Sequence, residues 1–392
     1  MGNTANIQNI FLESFSTYVK DYGPLPEEQY NIANAIMNCR TESMGGQISC
    51  CDHCGYDVTI YNSCRNRHCP QCQAYATAQW VEKRIDDLLP VPYFHIVFTL
   101  PWQLRDFFLR NRKFCYSLFF RCVKETLQEL AADPKYLGGK IGFITILHTW
   151  TQQMEFHPHI HVILPAGALS FNREEWIPCK NNFLFPFPVM KKLFRGKVMD
   201  AFVNGIKEGS IGLHGILKKY SDQVSWNKLV NTLYNTDWVI YAKQTFNHTE
   251  DVVKYLGNYT HRLAISNKRI IDISNKQVCF SYHDRKDDNK IKKIVVSHSE
   301  FIRRFMLHAV PCKFMRIRHY GFLSNSLKGK VLPIIMSFLG KEVSEKNTPK
   351  SKHWYDIIES LTGKDPTVCP ICKNGRLRMV VRFKNGVFVN VA

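Results

Sequence analysis

Two cysteine pairs near the N-terminus constrain the fold more than any other feature of the sequence. Cys51 and Cys54 form one CxxC pair, Cys69 and Cys72 form a second, and 14 residues separate the two pairs. This spacing is typical of four thiolates that surround one zinc ion tetrahedrally. A site closed by four protein ligands has no position for a substrate, so we expect this zinc ion to be structural.

Other cysteines leave the ligand sets open. Cys50, Cys64 and His68 lie close enough in the sequence to replace one of the four ligands. Near the other end of the chain, Cys369 and Cys372 form a CxxC pair with no second pair beside it. This pair is either unrelated to metal or half of a second zinc site, completed by a histidine or another cysteine elsewhere in the fold.

The charge of the chain points to a polyanionic partner. The sequence has 52 Lys and Arg against 33 Asp and Glu, a formal net charge of +19, which favours nucleic acid over a merely solvated basic surface or a membrane surface. Between the N-terminal cysteine pairs, Arg65 and Arg67 are candidates for contact with DNA phosphates. We see neither a signal peptide nor a run of about 20 apolar residues, and expect a cytoplasmic, nucleoid-associated protein.

Helix and strand patterns alternate along the chain. Ile141–Trp150 and His159–Leu164 predict two antiparallel strands joined by the polar segment TQQMEF, which favours an α+β fold over a doubly wound parallel sheet. The patterns predict a helical region at 1–48, a zinc-binding module at 49–80, a central domain at 90–275 with an insertion at about 165–235, a basic helical region at 276–345, and a small module at 353–392.

The segment FHPHIHVIL carries a candidate metal site. His159 and His161 lie two residues apart in a predicted strand, so both imidazoles point to the same face of the sheet. Ile160 and Val162 alternate with them and occupy the apolar face. Two imidazoles on one face can chelate a divalent cation, although a pair of half-exposed histidines on an edge strand would give the same pattern.

A predicted helix at 248–266 carries a second constellation. At about 100° per residue, Tyr255, Tyr259 and Arg262 fall within about 60° of one another on one helix face. His261 lies on roughly the opposite face. Two tyrosines at this spacing are often ordinary core or surface aromatics. The nearby Arg262 and the mid-helix Gly257, which costs about 1 kcal/mol of helix stability and allows close approach of another chain, favour a functional role.

Four segments together carry a resemblance to a known family. The chain resembles the rolling-circle insertion-sequence transposases of the IS91 type, which are two-tyrosine HUH endonucleases. The resemblance extends in the same order from about Met37 to Leu323, and it rests on CRNRHCPQCQ, HPHIH followed by LPAGALS, YLGNYTHRLAISN, and FMRIRHYGFLSN. It implies an antiparallel HUH-type sheet flanked by helices, with the two histidines on the sheet and the nucleophile on a nearby helix.

The resemblance also implies a reaction. The two catalytic tyrosines of the family fall on Tyr255 and Tyr259, and a tyrosine would nick single-stranded DNA to form a 5′-phosphotyrosine link. A metal ion would polarise the phosphate and Arg262 would add a positive charge. The implied partners are the single-stranded transposon ends and the target DNA. Mg²⁺ or Mn²⁺ is the expected ion.

Two histidines leave the metal one protein ligand short. Related nucleases can take the third ligand from the tyrosine helix, but Leu263, four residues after Tyr259, cannot serve. His148, on the neighbouring strand of the predicted hairpin, is the first candidate, followed by Glu155 and then Gln152.

Two other functions fit parts of the sequence. A plasmid replication initiator or a relaxase would use the same chemistry, although the N-terminal cysteines and the C-terminal motif favour a transposase. A zinc-dependent DNA-binding regulator without chemistry would carry the histidines and tyrosines as structural residues. Metal-dependent cleavage with protein left on one product separates an enzyme from a regulator.

Overall fold

Antiparallel sheets flanked by helices make up the molecule, which confirms the α+β prediction. The computed structural model describes residues 5–180, 184–246, 251–252, 255, 257, 263–284, 287–341 and 353–391. Tyr259 and Arg262 therefore lie outside the described residues. Of the helix predicted at 248–266, positions 251, 252, 255 and 257 are helical, whereas 263–266 are not.

The strands and helices follow one another along the whole chain. The strands are β1 (Gly46–Cys51), β2 (Asp57–Tyr61), β3 (Tyr93–Thr99), β4 (Gly139–Lys140), β5 (Phe143–Trp150), β6 (Phe156–Pro165), β7 (Gly167–Ser170), β8 (Trp176–Pro178), β9 (Ile240–Phe246), β10 (Ile270–Ser274), β11 (Gln277–Asp284), β12 (Lys290–Ser297), β13 (Ile317–Tyr320), β14 (Leu377–Lys384) and β15 (Val387–Asn390). The labelled helices are α1 (Ile7–Tyr22), α2 (Glu27–Asn38), α3 (Pro70–Ile85), α4 (Arg105–Arg110), α5 (Arg112–Ala132), α6 (Phe187–Lys207), α7 (Gln223–Asn235), α8 (His298–Met306), α9 (Lys328–Phe338) and α10 (Trp354–Thr362).

A five-stranded sheet in the order β13-β5-β6-β3-β9 forms the centre of the molecule. The predicted hairpin of β5 and β6 is confirmed, and every neighbouring pair in this sheet is antiparallel. The register places His148 opposite His159 and Val97 opposite His161. Because paired residues share a face, three neighbouring strands contribute to the surface around the two predicted histidines.

The opposite face of this sheet carries the main hydrophobic core. Phe98, Ile160 and Val162 are fully buried there, together with aromatic side chains of α4, α5 and α6. Asn111 separates α4 from α5. The apolar residues that alternate with the histidines therefore fix which face of β6 is packed against helices and which face carries the imidazoles.

The segment at 165–235 belongs to this same core. Phe194 and Phe202 of α6 are fully buried, and they contact Phe119 and Phe107 of the neighbouring helices with ring centroids 5.9 Å and 4.9 Å apart. The residues that the sequence suggested as an insertion thus provide part of the helical layer that supports the sheet.

The two ends of the chain meet in a second sheet, ordered β15-β14-β1-β2. In it β14, from the C-terminal module, pairs antiparallel with β1, from the N-terminal cysteine region. Behind this region α1 packs against α2 and α8. Asn6 caps α1 by accepting a hydrogen bond from the backbone N–H of Asn9, and Gly23 ends the helix with a φ of 80°.

A third sheet, β10-β11-β12, lies in the basic region. The described turn before β12 covers 287–289, and β12 begins at Lys290. Across the part of the chain that the structure describes, no helix is both long enough and apolar enough to cross a membrane.

Candidate functional site

Three histidines converge on one face of the central sheet. His159 and His161 come from β6, and His148 comes from the adjacent β5. Their ring centroids lie 4.5 Å apart for His148 and His161, 5.0 Å for His159 and His161, and 5.6 Å for His148 and His159. The structure therefore brings together the two predicted ligands and the first candidate for the third.

This histidine cluster fits a metal ion. One nitrogen atom from each ring can be chosen so that all three lie within 4.8 Å of one another, as ligands of a single ion would. His148 and His161 are buried, and His159 is half-buried. Glu155 is exposed and lies outside the cluster. Gln152 is half-buried, and its backbone carbonyl accepts a hydrogen bond from the guanidinium of Arg269. Imidazole is a common ligand for divalent transition metals.

The backbone orients His159 within the cluster. Nδ1 of His159 lies 2.8 Å from the carbonyl oxygen of His157. A carbonyl can only accept, so this hydrogen bond requires the proton on Nδ1 and leaves the lone pair on Nε2. Such a hydrogen bond, donated by the imidazole N–H to a backbone carbonyl, is a common way to fix the tautomer of a metal-binding histidine.

Tyr255 lies beside the cluster and contacts a histidine that the sequence analysis missed. Its hydroxyl oxygen is 2.6 Å from Nε2 of His95 and 3.1 Å from Nδ1 of His161. His95 comes from β3, and its Nε2 is 2.9 Å from Nδ1 of His161. Burial lowers the pKa of His95 to about 4, so the ring is neutral near pH 7 and can accept a hydrogen bond from the tyrosine hydroxyl.

The four predicted zinc ligands do not share a site. Cys69 and Cys72 lie with Cys39 and Cys64, a group called here the N-terminal cysteine cluster. Cys51 and Cys54 lie instead with the C-terminal pair in the bridging cysteine cluster, which consists of Cys51, Cys54, Cys369 and Cys372. The prediction of one shared site was wrong because β14 pairs with β1. This pairing brings the C-terminal CxxC pair, Cys369 and Cys372, to the first CxxC pair, Cys51 and Cys54. A CxxC pair with its turn is called a knuckle here.

The N-terminal cysteine cluster has dimensions suited to a metal ion. The sulfur of Cys72 lies 3.6 Å from that of Cys39 and 3.7 Å from that of Cys64. Cys64 was one of the alternative ligands, whereas Cys39 was missed because it is a lone cysteine at the end of α2. Cys50 and His68, the other two alternatives, lie outside both clusters.

Comparisons with known proteins identify the family. A family described as "Transposase zinc-binding domain" matches residues 10–100, and one described as "Putative transposase" matches residues 142–330. The chain is 38% identical to "Putative transposase y4qJ" of Sinorhizobium fredii (strain NBRC 101917 / NGR234) over 378 residues, which cover 96% of this chain and 95% of that protein. The chain belongs to the IS91-type transposases.

A second relative extends the comparison to a defined insertion sequence. The chain is 26% identical to "Transposase for insertion sequence element IS801" of Pseudomonas savastanoi pv. phaseolicola over 363 residues, which cover 91% of this chain and 84% of that protein. No solved structure gives a significant match. As a transposase, the protein is a DNA-processing enzyme, and its N-terminal region is a zinc-binding domain.

The two arginines predicted to contact DNA have different environments in this transposase. Arg65 is exposed in the loop before α3. Arg67 is half-buried, and its guanidinium donates hydrogen bonds to the carbonyl of Pro311 at 3.0 Å and to that of Phe314. Burial lowers the pKa of Arg67. The structure thus gives Arg67 an intramolecular role, and Arg65 alone of the pair presents its charge outward.

Proposed function

We propose that this transposase nicks single-stranded DNA at transposon ends through attack by a tyrosine hydroxyl and transfers the strand by a rolling-circle mechanism. The observation that carries the proposal is the position of the Tyr255 hydroxyl, 2.6 Å from His95 and 3.1 Å from His161, beside a cluster of three histidines. A half-buried tyrosine whose only task was packing would not need its hydroxyl between two imidazoles.

The reaction exchanges one phosphodiester for another. The Tyr255 oxygen forms a bond to phosphorus, the bond from phosphorus to the 3′ oxygen breaks, and the departing strand takes up a proton to end in a 3′-OH. The tyrosine loses its own proton, and the 5′-phosphate remains on the protein as a phosphotyrosine. Because one ester replaces another, the link stays reversible and can be passed to the target strand.

His95 and His161 position the nucleophile in this proposal. A hydroxyl held by two hydrogen bonds loses rotational freedom before the DNA arrives, and alignment of reacting atoms contributes strongly to such displacements. His95 is a positioning residue, because it acts on the DNA only through Tyr255.

The histidine cluster would hold the divalent metal. His148, His159 and His161 are its proposed ligands, and the ion would act as a Lewis acid that polarises the scissile phosphate and offsets the developing negative charge. Three imidazoles suit Mn²⁺ better than Mg²⁺, which prefers oxygen ligands. Of the two ions expected from the sequence, the donor set therefore favours Mn²⁺.

Two further residues, Tyr259 and Arg262, are assigned to the proposed mechanism on the basis of the sequence. With two tyrosines, one strand end can remain bound to the protein while the other is attacked, as rolling-circle transfer requires. Arg262 would add a second positive contact to the phosphate.

A covalent-capture assay tests the proposal. The protein is incubated with Mn²⁺ and a labelled single-stranded oligonucleotide that contains a transposon end, and the products are separated on a denaturing gel. We expect a labelled band at the mass of protein plus DNA in the wild type. The band should be lost in the double variant Tyr255→Phe and Tyr259→Phe, and in His159→Ala or His161→Ala.

A matched control keeps the result specific. Tyr234→Phe removes one hydroxyl from an exposed tyrosine on α7 and should leave the covalent product unchanged. Covalent attachment that persists in the double tyrosine variant would place the nucleophile elsewhere. A single replacement that abolishes strand transfer but not nicking would indicate that the two tyrosines act in sequence.

A further inference from the structure

The bridging cysteine cluster joins residues from opposite ends of the chain. The sulfur of Cys51 lies 3.7 Å from that of Cys372, and the sulfur of Cys54 lies 3.7 Å from that of Cys369. The two partners in each contact are 321 and 315 residues apart in the sequence. Neither the zinc-binding family, which ends at residue 100, nor the second family, which ends at 330, covers the C-terminal pair.

These distances fit four ligands of one ion. A disulfide has an S–S distance of about 2.05 Å, far shorter than the separations in this cluster. Zinc binds thiolate sulfur at about 2.3 Å, and a regular tetrahedron of that size has edges of about 3.8 Å. The observed separations of 3.7 Å therefore match the edges of a zinc tetrathiolate.

Backbone N–H groups point at the sulfurs in both knuckles. The N–H groups of His53 and Cys54 donate to the sulfur of Cys51 at 3.4 Å and 3.5 Å, and the N–H of Gly375 donates to the sulfur of Cys372 at 3.4 Å. Hydrogen bonds from N–H groups favour a thiolate over a thiol because they stabilise the negative charge. Two of the four sulfurs, those of Cys51 and Cys372, thus have surroundings that favour a thiolate.

The backbone turns in the same way after both pairs. Gly55, directly after Cys54, has a φ of 71°, and Lys373, directly after Cys372, has a φ of 59°. Lysine seldom adopts a left-handed conformation, so the second turn is held against its local preference. Both cysteine pairs are therefore followed by the same left-handed turn.

The surrounding contacts hold the two knuckles close together. Asp52, inside the first knuckle, accepts hydrogen bonds from the backbone N–H of Arg376 at 2.7 Å and from Nε of Arg378 at 3.0 Å. A Cβ atom on Gly375 would lie 2.5 Å from the sulfur of Cys51, which is closer than real Cβ contacts allow. Only glycine permits this approach of the second knuckle to the first.

We propose that the bridging cysteine cluster binds a second structural zinc ion, separate from that of the N-terminal cysteine cluster, and that this ion fastens the C-terminal hairpin of β14 and β15 to β1. On binding, four thiols release their protons and four zinc–sulfur bonds form. The ion closes a loop of more than 300 residues, and it stabilises the sheet that β1 and β14 share.

Thiol protection in the wild-type protein tests the proposal. Zinc-loaded full-length protein is treated with iodoacetamide, and the alkylation of each cysteine is followed by mass spectrometry before and after removal of metal with a chelator. Cys54 and Cys312 are both exposed, but only Cys54 belongs to a cluster. We expect Cys54 to react at least ~10-fold more slowly than Cys312 until the metal is removed, because a thiolate bound to the ion is not available to attack iodoacetamide.

The same experiment tests whether the C-terminal pair, Cys369 and Cys372, shares an ion with Cys54. Cys369 and Cys372 should become reactive together with Cys54 when the chelator is added. If Cys54 reacts as fast as Cys312 in the zinc-loaded protein, or if the chelator leaves the reactivity of Cys369 unchanged, the bridging site is overturned.

Cobalt absorption gives an independent measurement of the number of thiolate metal sites. Cobalt replaces zinc in thiolate sites and gives sulfur-to-metal charge-transfer absorption, which imidazole ligands do not produce. We expect the double variant Cys369→Ser and Cys372→Ser to lose half of this absorption, and Cys312→Ser to lose none. An unchanged absorption in the double variant would contradict the proposed second zinc ion. The proposed nicking function is tested separately by the covalent-capture assay and would stand or fall independently of this result.

Discussion

The hydroxyl oxygen of Tyr255 lies 2.6 Å from Nε2 of His95, and the two residues come from different elements, a helix and the strand β3. This short hydrogen bond ties the proposed nucleophile to the sheet that carries the histidine cluster. The position of the hydroxyl therefore depends on the side chain of a residue that has no predicted contact with metal.

Replacement of His95 should slow the reaction without preventing DNA binding. In His95→Ala the Tyr255 hydroxyl loses one of its two hydrogen bonds, and misalignment of a nucleophile by about 1 Å can cost about 100-fold in rate. We expect a fall in the rate of covalent attachment of that order at saturating DNA, with an unchanged Kd. His95→Gln, whose amide can still bond to the hydroxyl, should recover part of the rate.

The measurement is single-turnover kinetics over a range of DNA concentrations. A merely structural role for His95 would lower the amount of active protein and leave the rate of the active fraction unchanged. An Ala variant as fast as the wild type would show that the hydrogen bond to His95 does not position the nucleophile.

The third metal ligand can be tested by paired variants. His148 is buried within the cluster, whereas Glu155, the second candidate from the sequence, is exposed and outside it. We expect His148→Ala to weaken Mn²⁺ binding at least ~10-fold, measured by calorimetry on protein that keeps its structural zinc but carries no Mn²⁺, because the loss of even an outer-shell partner can have that effect. Glu155→Ala is the matched control and should bind Mn²⁺ as the wild type does.

The histidine cluster could be predicted from the sequence because it depends on local pattern. Alternation placed His159 and His161 on one face, and a short polar connection made the strand of His148 their neighbour. His95 was missed because only the strand order β5-β6-β3 brings its strand, β3, to the other side of β6. Strand order depends on packing across the whole sheet, which a single strand does not specify.

The cysteine ligand sets could not be derived from spacing alone. The knuckle at Cys51 could pair with the knuckle at Cys69 or with that at Cys369, since all three have the same local form. Pairing of β14 with β1 decides between them, through contacts between residues more than 300 positions apart. Cys39 carries no local signal, because a lone cysteine after a helix resembles any other buried thiol.

Arg65 and Arg67 should behave differently when their charges are removed. Arg67→Gln should reduce the free energy of unfolding by about 1–3 kcal/mol, because the carbonyls of Pro311 and Phe314 lose a charged donor. Arg65→Gln should leave stability unchanged and lower the slope of log affinity against log salt by ~0.7 on single-stranded DNA, if Arg65 contacts one phosphate.

Urea unfolding and salt titrations of DNA binding measure the two effects separately. A salt slope that falls in Arg67→Gln but not in Arg65→Gln would reverse the assignment.

The last prediction concerns acid stability and His308, which lies in the segment that follows α8 and is buried against β5. Its Nδ1 lies 3.2 Å from the hydroxyl oxygen of Thr149, and its Nε2 lies 3.1 Å from the carbonyl oxygen of Met154. Burial, aided by the charge of Arg112, lowers the pKa of His308 from 6.5 to about 3. The folded protein therefore keeps this ring neutral at a pH where the unfolded chain protonates it.

The direction of the effect follows from proton uptake. Below pH 6.5 the unfolded state binds a proton at His308 that the folded state does not, so the free energy of unfolding falls as the pH falls towards about 3. At about pH 5 the loss from this one group is about 2 kcal/mol.

His308→Gln retains polar atoms at the site but cannot take up a proton. We therefore expect the variant to lose about 2 kcal/mol less than the wild type between pH 7.5 and about pH 5, in urea unfolding of zinc-loaded protein. His283→Gln, at an exposed position on β11, is the control and should follow the wild type. Acid also protonates the cysteine ligands, but it does so equally in all three proteins, so the difference between them isolates His308. Equal losses in His308→Gln and the wild type would show that protonation of this buried ring does not contribute to acid unfolding.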